Sequence, residues 1–169
     1  TKAKNSSRAK QTLSIQHNAM KTLILGLGNP ILGDDALGLR VAALVRQRLP
    51  PDSEIEVDEE YWGGLRLMER LIGYDKAILV DAICTGAHPP GTILRLGPDD
   101  LPTQHSASSH DVNLPTALEM GRTMGMKMPD DICIIAVEAE NVLDFSEQCS
   151  PAVTAALPDA VDRVLAAAY

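Results

Sequence analysis

Aromatic residues and cysteines are scarce in this chain of 169 residues. It contains one Phe, one Trp, three Tyr and three Cys, so the core must consist of Leu, Ile, Val, Ala and Met side chains. The cysteines are odd in number, widely spaced and form no C-x-x-C pair. This argues against a disulfide framework or a structural zinc site and favours a reducing, cytoplasmic location. No run approaches the ~18 apolar residues that a transmembrane helix requires.

Acidic residues are absent from the first 19 positions and abundant afterwards. Residues 1–19 carry four of the 15 Lys and Arg residues and lack the apolar segment of a signal peptide. We interpret them as a disordered extension or an expression remnant, and residues 20–169 as one domain. The 23 acids of this domain face 11 Lys and Arg residues, which gives it a net charge of −12. Such a surface should repel nucleic acid and anionic membranes, and would suit metal cations or a basic protein segment.

Strand-like apolar runs alternate with amphipathic patterns along residues 20–169. The order predicts an α/β fold: a single three-layer α/β/α domain with about five strands, mostly parallel, and helices on both faces. One strand follows a Pro-Pro-Gly turn that is too short for a crossover helix, so we expect it to be antiparallel. Pro158 should kink the last helix or divide it in two. The predicted strands are 21–27, 54–59, 76–83, 91–96 and 131–138, and the predicted helices are 36–48, 64–72, one capped by Asn113, and one starting at Ser150 and Pro151.

Ionisable residues lie where the predicted strands end. In parallel sheets, binding sites form beyond the carboxyl ends of the strands. Asp34 and Asp35 follow the first strand, Asp81 ends the third, and His110 precedes the helix that leads into the last strand. Glu138 ends that last strand, but it could equally be an exposed strand end. We expect these residues to converge on one rim of the sheet.

The turn after the first strand reads G-L-G-N-P-I-L-G-D-D, residues 26–35. A dinucleotide-binding turn needs a third glycine, where this chain has Ile31, and its helix N-terminus faces phosphates that two carboxylates would repel. Peptidyl-tRNA hydrolases also open with a strand and G-L-G-N-P-G, but that likeness ends at Pro30, and an acidic surface suits tRNA poorly. Both interpretations are therefore disfavoured.

Metal binding is the third interpretation of this turn. Asp35, Asp81 and His110 together offer carboxylate oxygens and an imidazole nitrogen, a set that suits Ni²⁺, Zn²⁺ or Mn²⁺. Three protein ligands leave positions open for a substrate, whereas structural sites are closed. Spacing alone does not decide, because Asp34 or Asp35 could simply cap the helix that begins at Ala36. His110 could likewise be an ordinary loop histidine.

A series of motifs in the same order resembles the hydrogenase maturation proteases. The resemblance extends from Met20 to the C-terminus, and it rests on the order and spacing of several motifs rather than on any one of them. These motifs are G-L-G-N-P-I-L-G-D-D-A-L-G at 26–38, I-L-V-D-A-I at 78–83, P-P-G-T-I at 89–93, S-S-H-D-V-N-L-P-T-A-L-E at 108–119, V-E at 137–138 and S-P-A-V at 150–153.

The resemblance implies an endopeptidase that removes the C-terminal extension of a [NiFe]-hydrogenase large-subunit precursor after nickel insertion. It implies nickel contacts at Asp35, Asp81 and His110, with the nickel supplied by the substrate and no organic cofactor. Two chemical routes remain open for the cleavage. Asp35 or Asp81 could act as general base on water, or the metal could polarise the peptide carbonyl or activate water.

Two glycine turns are the expected substrate-binding segments. In the first, glycines allow a tight turn and the asparagine can bond to its own backbone. The second lies in E-E-Y-W-G-G, residues 59–64, which departs from the Asp-Gly-Gly pattern of many family members and leaves any contact by Tyr61 or Trp62 in doubt. The residues predicted to bind substrate are Gly28, Asn29, Gly63 and Gly64.

Two other functions remain open from the sequence. One is a non-catalytic nickel-sensing or metallochaperone module with the same three ligands, which would bind nickel without cleaving. The other is a small-molecule hydrolase on a similar scaffold. No Ser-His-Asp set and no cysteine with a neighbouring base is recognisable. We expect a monomer whose partner is the hydrogenase precursor, with neither nucleic acid nor membrane as a partner.

Overall fold

A five-stranded sheet forms the centre of the protein. The structure is a computed structural model that describes residues 20–61, 63–100 and 114–169. A 3-10 turn, Gly33–Ala36, precedes the first helix. The strands are β1 (Thr22–Leu27), β2 (Glu56–Glu60), β3 (Lys76–Ile83), β4 (Ile93–Leu96) and β5 (Asp131–Glu138), and the helices are α1 (Leu37–Arg48), α2 (Leu65–Leu71), α3 (Leu114–Thr123) and α4 (Pro151–Ala168).

The strand order across the sheet is β2-β1-β3-β5-β4. β1 pairs in parallel with β2 and β3, β3 pairs in parallel with β5, and β4 runs antiparallel to β5. The short connection before β4 explains this, because nine residues lie between β3 and β4, too few for a helix that would return the chain to the starting edge of the sheet. The predicted α/β class, with one antiparallel strand, is confirmed.

Helices cover both faces of the sheet, because side chains alternate between the faces along each strand. One buried cluster joins α1 and α4 to strand residues such as Ile24, Ile78 and Ile135. The other cluster joins α2 and α3 to strand residues that point to the opposite face of the sheet, such as Leu25, Leu79 and Ile134. Leu, Ile, Val, Ala and Met supply almost all of this core, as the scarcity of aromatic residues requires.

Most element boundaries match the predictions, and the differences are local. β3 and β5 have the predicted bounds, whereas β2 begins two residues later than predicted. α4 continues without interruption through Pro158, so the division into two helices was wrong. Tertiary packing of Val161 and Val164 holds the helix together where local propensity would break it. The Ser150 hydroxyl caps α4 by accepting the Val153 N–H, as predicted.

Two predictions fall on parts of the chain that the structure does not describe. The interpretation of residues 1–19 is one of them, and the capping role of Asn113 is the other. Among the residues that the structure does describe, none of the helices combines the length and the apolar character needed to span a bilayer.

Candidate active site

The carboxyl ends of β1, β2, β3 and β5 meet at one edge of the sheet, because these strands are parallel. The loop after β1 leads through the 3-10 turn into α1, and it carries Asp34 and Asp35 to this edge. Asp81 lies in β3, two residues before the strand ends. The structure thus places Asp34, Asp35 and Asp81 at the same edge of the sheet, as their positions after the predicted strands indicated.

Gly28 allows the loop to approach Asp35 closely. Its backbone has φ +141°, and a Cβ at this position would lie 1.8 Å from the carbonyl oxygen of Asp35. The first turn of α1 also packs tightly on the end of β1, because a Cβ on Gly26 would lie 2.2 Å from the carbonyl oxygen of Gly38. Glycine is required here to bring the start of α1, and Asp35 with it, against the strand end.

Asn29 orients the Asp35 carboxylate. Its backbone N–H donates to Asp35 Oδ2 at 2.9 Å. Its own side-chain oxygen accepts the Ile31 N–H at 3.2 Å, which is the predicted turn bonded by an asparagine side chain. Asn29 thus stabilises the turn and fixes one oxygen of Asp35, while substrate binding by this residue stays a prediction.

Asp35 and Asp81 form an electrostatically coupled pair. Asp35 is buried, and loss of solvation raises its pKa, although the Asn29 N–H offsets part of this effect. Burial and then the negative charge of Asp35 raise the pKa of Asp81 to about 7, against the lowering effect of the Ala82 N–H. Two carboxylates in one poorly solvated place resist double ionisation. Near neutral pH the pair can therefore both release and accept a proton.

His110, the third predicted ligand, lies outside the described residues. Within the part of the chain that the structure does describe, no group of three or more His, Cys, Asp or Glu side chains is close enough to hold a metal ion. The described part supplies two of the three expected ligands, both with the oxygen donors that a divalent cation accepts.

Asp34 has a different role from its neighbour. It is buried, and its Oδ2 accepts the N–H groups of Glu140 at 2.9 Å and Asn141 at 3.2 Å. Its Oδ1 accepts the N–H of Ser150 at 2.6 Å. The α1 helix receives no side-chain cap from its N-cap residue, so the alternative that Asp34 or Asp35 caps α1 is not what the structure shows. Asp34 instead fastens the segment between β5 and α4 to the β1 loop.

Glu138 is a buried anchor and not an exposed strand end, so that interpretation was wrong. Its carboxylate accepts the N–H groups of Thr85 and Gly86 at 2.7 and 2.8 Å and the Thr85 hydroxyl at 2.7 Å. All the bonds named here hold the loop that follows β3. Glu138 therefore shapes the rim next to the strand that carries Asp81.

The second glycine turn lies at the end of β2. Gly64 is buried with φ +68° and precedes α2, whereas a Cβ on Gly63 would meet open space. This turn is joined to the first one, because the Gly28 N–H donates to the Glu60 carbonyl at 3.3 Å. Trp62 is not among the described residues. The two glycine turns are neighbours on the rim, and their substrate contacts stay a prediction.

All three cysteines lie in the described part of the chain and are free thiols. Cys133 is buried, and Cys84 and Cys149 are half-buried. Burial raises the pKa of the Cys133 and Cys149 thiols. A raised pKa keeps these two thiols protonated and unreactive.

Sequence reasoning missed the anchoring roles of Asp34 and Glu138. Their partners are distant in sequence: Ser150 is 116 positions from Asp34, and Thr85 is 53 positions from Glu138. No local pattern encodes such a bond. The one available signal was an acid directly at the end of a long apolar strand, which indicates burial and hence a need for donors.

The fold and the site define a three-layer α/β protein with a coupled carboxylate pair at the carboxyl edge of its sheet. Residues 39–167 match the family described as hydrogenase maturation protease. The chain therefore belongs to the hydrogenase maturation protease family, which confirms the resemblance seen in the sequence motifs. The family match begins just after Asp35.

Individual relatives extend the similarity over the opening turn. The hydrogenase 2 maturation protease of Escherichia coli K12 is 29% identical over 150 residues, covering 88% of this chain and 90% of the relative. The structure of the hydrogenase maturating endopeptidase HybD from E. coli has a TM-score of 0.75 at 31% identity, with 88% and 91% of the two chains covered. A [NiFe] hydrogenase maturation protease HybD from Thermococcus kodakarensis shares the fold, with a TM-score of 0.69 at 23% identity over 89% and 100% of the chains.

Proposed function

We propose that this protein is the endopeptidase that removes the C-terminal extension of a [NiFe]-hydrogenase large-subunit precursor once nickel has been inserted. The observation that carries the proposal is the placement of Asp35 and Asp81 at one edge of the sheet, where burial and then the charge of Asp35 raise the pKa of Asp81 to about 7. Strongly perturbed carboxyl groups cluster at functional sites. Membership of a family of hydrogenase maturation proteases supports the peptide bond as the target.

Nickel belongs to the substrate in this proposal. The precursor presents the ion, and Asp35, Asp81 and His110 contact it, so binding positions the peptide bond to be cut. The ion would favour the ionised form of both carboxyl groups and release the proton that their repulsion retains. A precursor without nickel lacks this anchor, which makes cleavage depend on completed insertion.

The carboxylate pair suggests how water is activated. With both carboxyl groups ionised, one carboxylate can take a proton from water and then pass it to the leaving amine. Asn29 fixes Oδ2 of Asp35, so its Oδ1 is the oxygen available to water or to the metal. Metal polarisation of the peptide carbonyl is the other route, and it uses the same residues.

The test is intact-mass spectrometry of the cognate large-subunit precursor after incubation with this protein. Nickel-loaded and nickel-free precursor are compared, with His110→Ala, Asp35→Asn and Asp81→Asn as variants. The exposed Asp52→Asn serves as the matched control, because Asp52 lies between α1 and β2, at the opposite edge of the sheet. We expect loss of a C-terminal peptide from loaded precursor only, abolished by the three site variants and retained by the control.

Three outcomes would contradict the proposal. Tight, nickel-dependent association without any change of mass would favour the non-catalytic sensing module. Equal cleavage of loaded and empty precursor would show that nickel is not what the site recognises. Cleavage retained by all three site variants would place the active site elsewhere.

A further inference from the structure

Three large apolar side chains are exposed on two neighbouring loops of the rim. Phe145, the only phenylalanine of the chain, is 83% exposed, Leu143 is 75% exposed and Ile31 is 49% exposed. Single exposed apolar residues are ordinary, but a contiguous apolar patch on a protein surface marks an interaction site. We call these three residues the apolar ridge.

Hydrogen bonds between the two loops bring the ridge residues together. Leu32 and Ser146 form a parallel β-bridge. The Ser146 N–H donates to the Ile31 carbonyl at 3.0 Å, and the Gly33 N–H donates to the Ser146 carbonyl at 2.8 Å. Ile31 and Phe145 each precede a residue of this bridge. The bridge therefore places the backbones of these two residues side by side, and Leu143 lies two residues before Phe145.

The ridge stands on a rigid base. The buried Asp34 carboxylate accepts N–H groups on both sides of the 142–149 segment, at Asn141 and Ser150. The Arg40 guanidinium also donates to the Glu147 carbonyl. Side chains held in place before binding lose less conformational freedom when a partner covers them. Because Asn29 links the same loop to Asp35, the ridge is continuous with the candidate active site.

The charged residues of the segment that carries Leu143 and Phe145 are all acidic, and the one cation described in contact with it is Arg40 of α1. The segment from Ala139 to Ser150 contains three acids and no Lys or Arg. All three acids, Glu140, Asp144 and Glu147, are exposed. Lys or Arg side chains of a partner would find complementary charge here, whereas a second copy of this acidic protein would meet its own charge.

We propose that the apolar ridge docks a segment of the hydrogenase precursor that combines apolar side chains with Lys or Arg, and so holds the chain next to Asp35 and Asp81. This inference rests on the proposed function and adds the surface by which the substrate is recognised. The ridge contributes to affinity and leaves the chemistry unchanged, because its side chains lie outside the carboxylate pair.

The experiment measures cleavage kinetics and binding separately. Nickel-loaded full-length precursor, labelled with a fluorophore, is titrated for anisotropy, and its cleavage is followed by mass. The double variant Leu143→Ser, Phe145→Ser is compared with Met124→Ser, an apolar residue that is 58% exposed and lies between α3 and β5, at the opposite edge of the sheet. We expect KM and Kd to rise about tenfold or more in the double variant, with kcat and the melting temperature unchanged, and no effect of Met124→Ser.

Charge is tested by Glu140→Lys together with Glu147→Lys. These changes should raise KM, and the binding of the native protein should weaken as salt increases. An unchanged KM in both sets of variants would overturn the ridge as a docking surface. An effect of the apolar variant alone would overturn the basic character of the docked segment.

Other outcomes separate this inference from the proposed function. If the native protein binds precursor but does not cut it, the proposed endopeptidase fails, and loss of binding in the ridge variant still supports docking. If the native protein does not bind precursor, the ridge as a precursor dock is overturned. Sedimentation that shows a native dimer, dissociated by the ridge variant, would assign the ridge to a second copy and also overturn the proposal.

Discussion

The Asp34 carboxylate accepts the backbone N–H of Ser150 at 2.6 Å and so joins the loop after the first strand to the start of the last helix. The neighbouring Asp35 points its bonded oxygen to Asn29 instead. The two adjacent acids therefore have different hydrogen-bond partners and different roles. One holds distant parts of the chain together, and the other belongs to the candidate active site.

Asp34→Asn should destabilise the protein markedly. Both carboxylate oxygens accept backbone donors, and an amide nitrogen in place of either one would face an N–H group. A buried donor left without an acceptor costs about 1–3 kcal/mol, so we expect a loss of that size in the free energy of unfolding. Urea denaturation measures it. Asp52→Asn, at an exposed loop, should leave the midpoint unchanged; a similar midpoint for both variants would contradict the anchoring role.

Asp81→Asn should stabilise the protein at high pH. The folded-state pKa of Asp81 is raised from 3.8 to about 7. Between these values the folded protein keeps a proton that the unfolded chain has released, so stability falls as pH rises through this window. Removing the group should recover about 4 kcal/mol at pH 8 and little at pH 4. Thermal unfolding from pH 4 to 8 is the measurement, and a variant with an undiminished pH slope would argue against the raised pKa.

Asp35→Asn should lower the pKa of Asp81. Asp35 contributes a negative charge that disfavours ionisation of Asp81, and an amide removes that charge. The pKa should stay above its ordinary value, because burial is the larger cause. Carboxyl-carbon NMR titration follows Asp81 directly. If its pKa were the same in Asp35→Asn and in the remote Asp52→Asn control, the two carboxylates would not be coupled.

Gly28→Ala should cost more stability than Gly73→Ala. Both glycines have positive φ, so both alanines are strained, but a Cβ on Gly28 meets the Asp35 carbonyl while one on Gly73 meets open space. We expect about 1 kcal/mol of destabilisation for Gly73→Ala and about 1–3 kcal/mol beyond it for Gly28→Ala. Cleavage should be lost only in Gly28→Ala, since Asp35 must move. Equal costs in denaturation would show that the close approach is not essential.

Glu138→Gln should retain both fold and cleavage. The amide oxygen can still accept the Thr85 and Gly86 N–H groups, and the amide nitrogen can donate to the Thr85 hydroxyl. Glu138→Ala leaves these donors unpaired and should lose about 2–4 kcal/mol. Cleavage rates at a temperature where both variants are folded distinguish the roles. A large loss of kcat in the glutamine variant would instead make Glu138 an acid or base of the reaction.

Local patterns were sufficient for most of the fold. Continuous apolar runs identified β3 and β5 with their observed bounds, because strands buried on both faces admit few polar residues. The prediction that Pro158 divides the last helix was wrong, because the packed face of α4 stabilises the helix more than the proline weakens it. The rule that parallel strands end at one edge placed several acids on the rim, and the family resemblance singled out Asp35 and Asp81 among them.

What the sequence determined by itself was therefore the order of elements, the parallel sheet with one reversed strand, and the side chains that reach its rim. Apolar periodicity and the lengths of the connections can be recognised from residues that are close together in the sequence. Only the tertiary structure showed which acids hold loops together and which one has a strongly raised pKa. Burial, the hydrogen-bond donors around Asp34 and Glu138, and the repulsion between Asp35 and Asp81 all come from residues far apart in the chain. The folded chain alone brings those residues into contact.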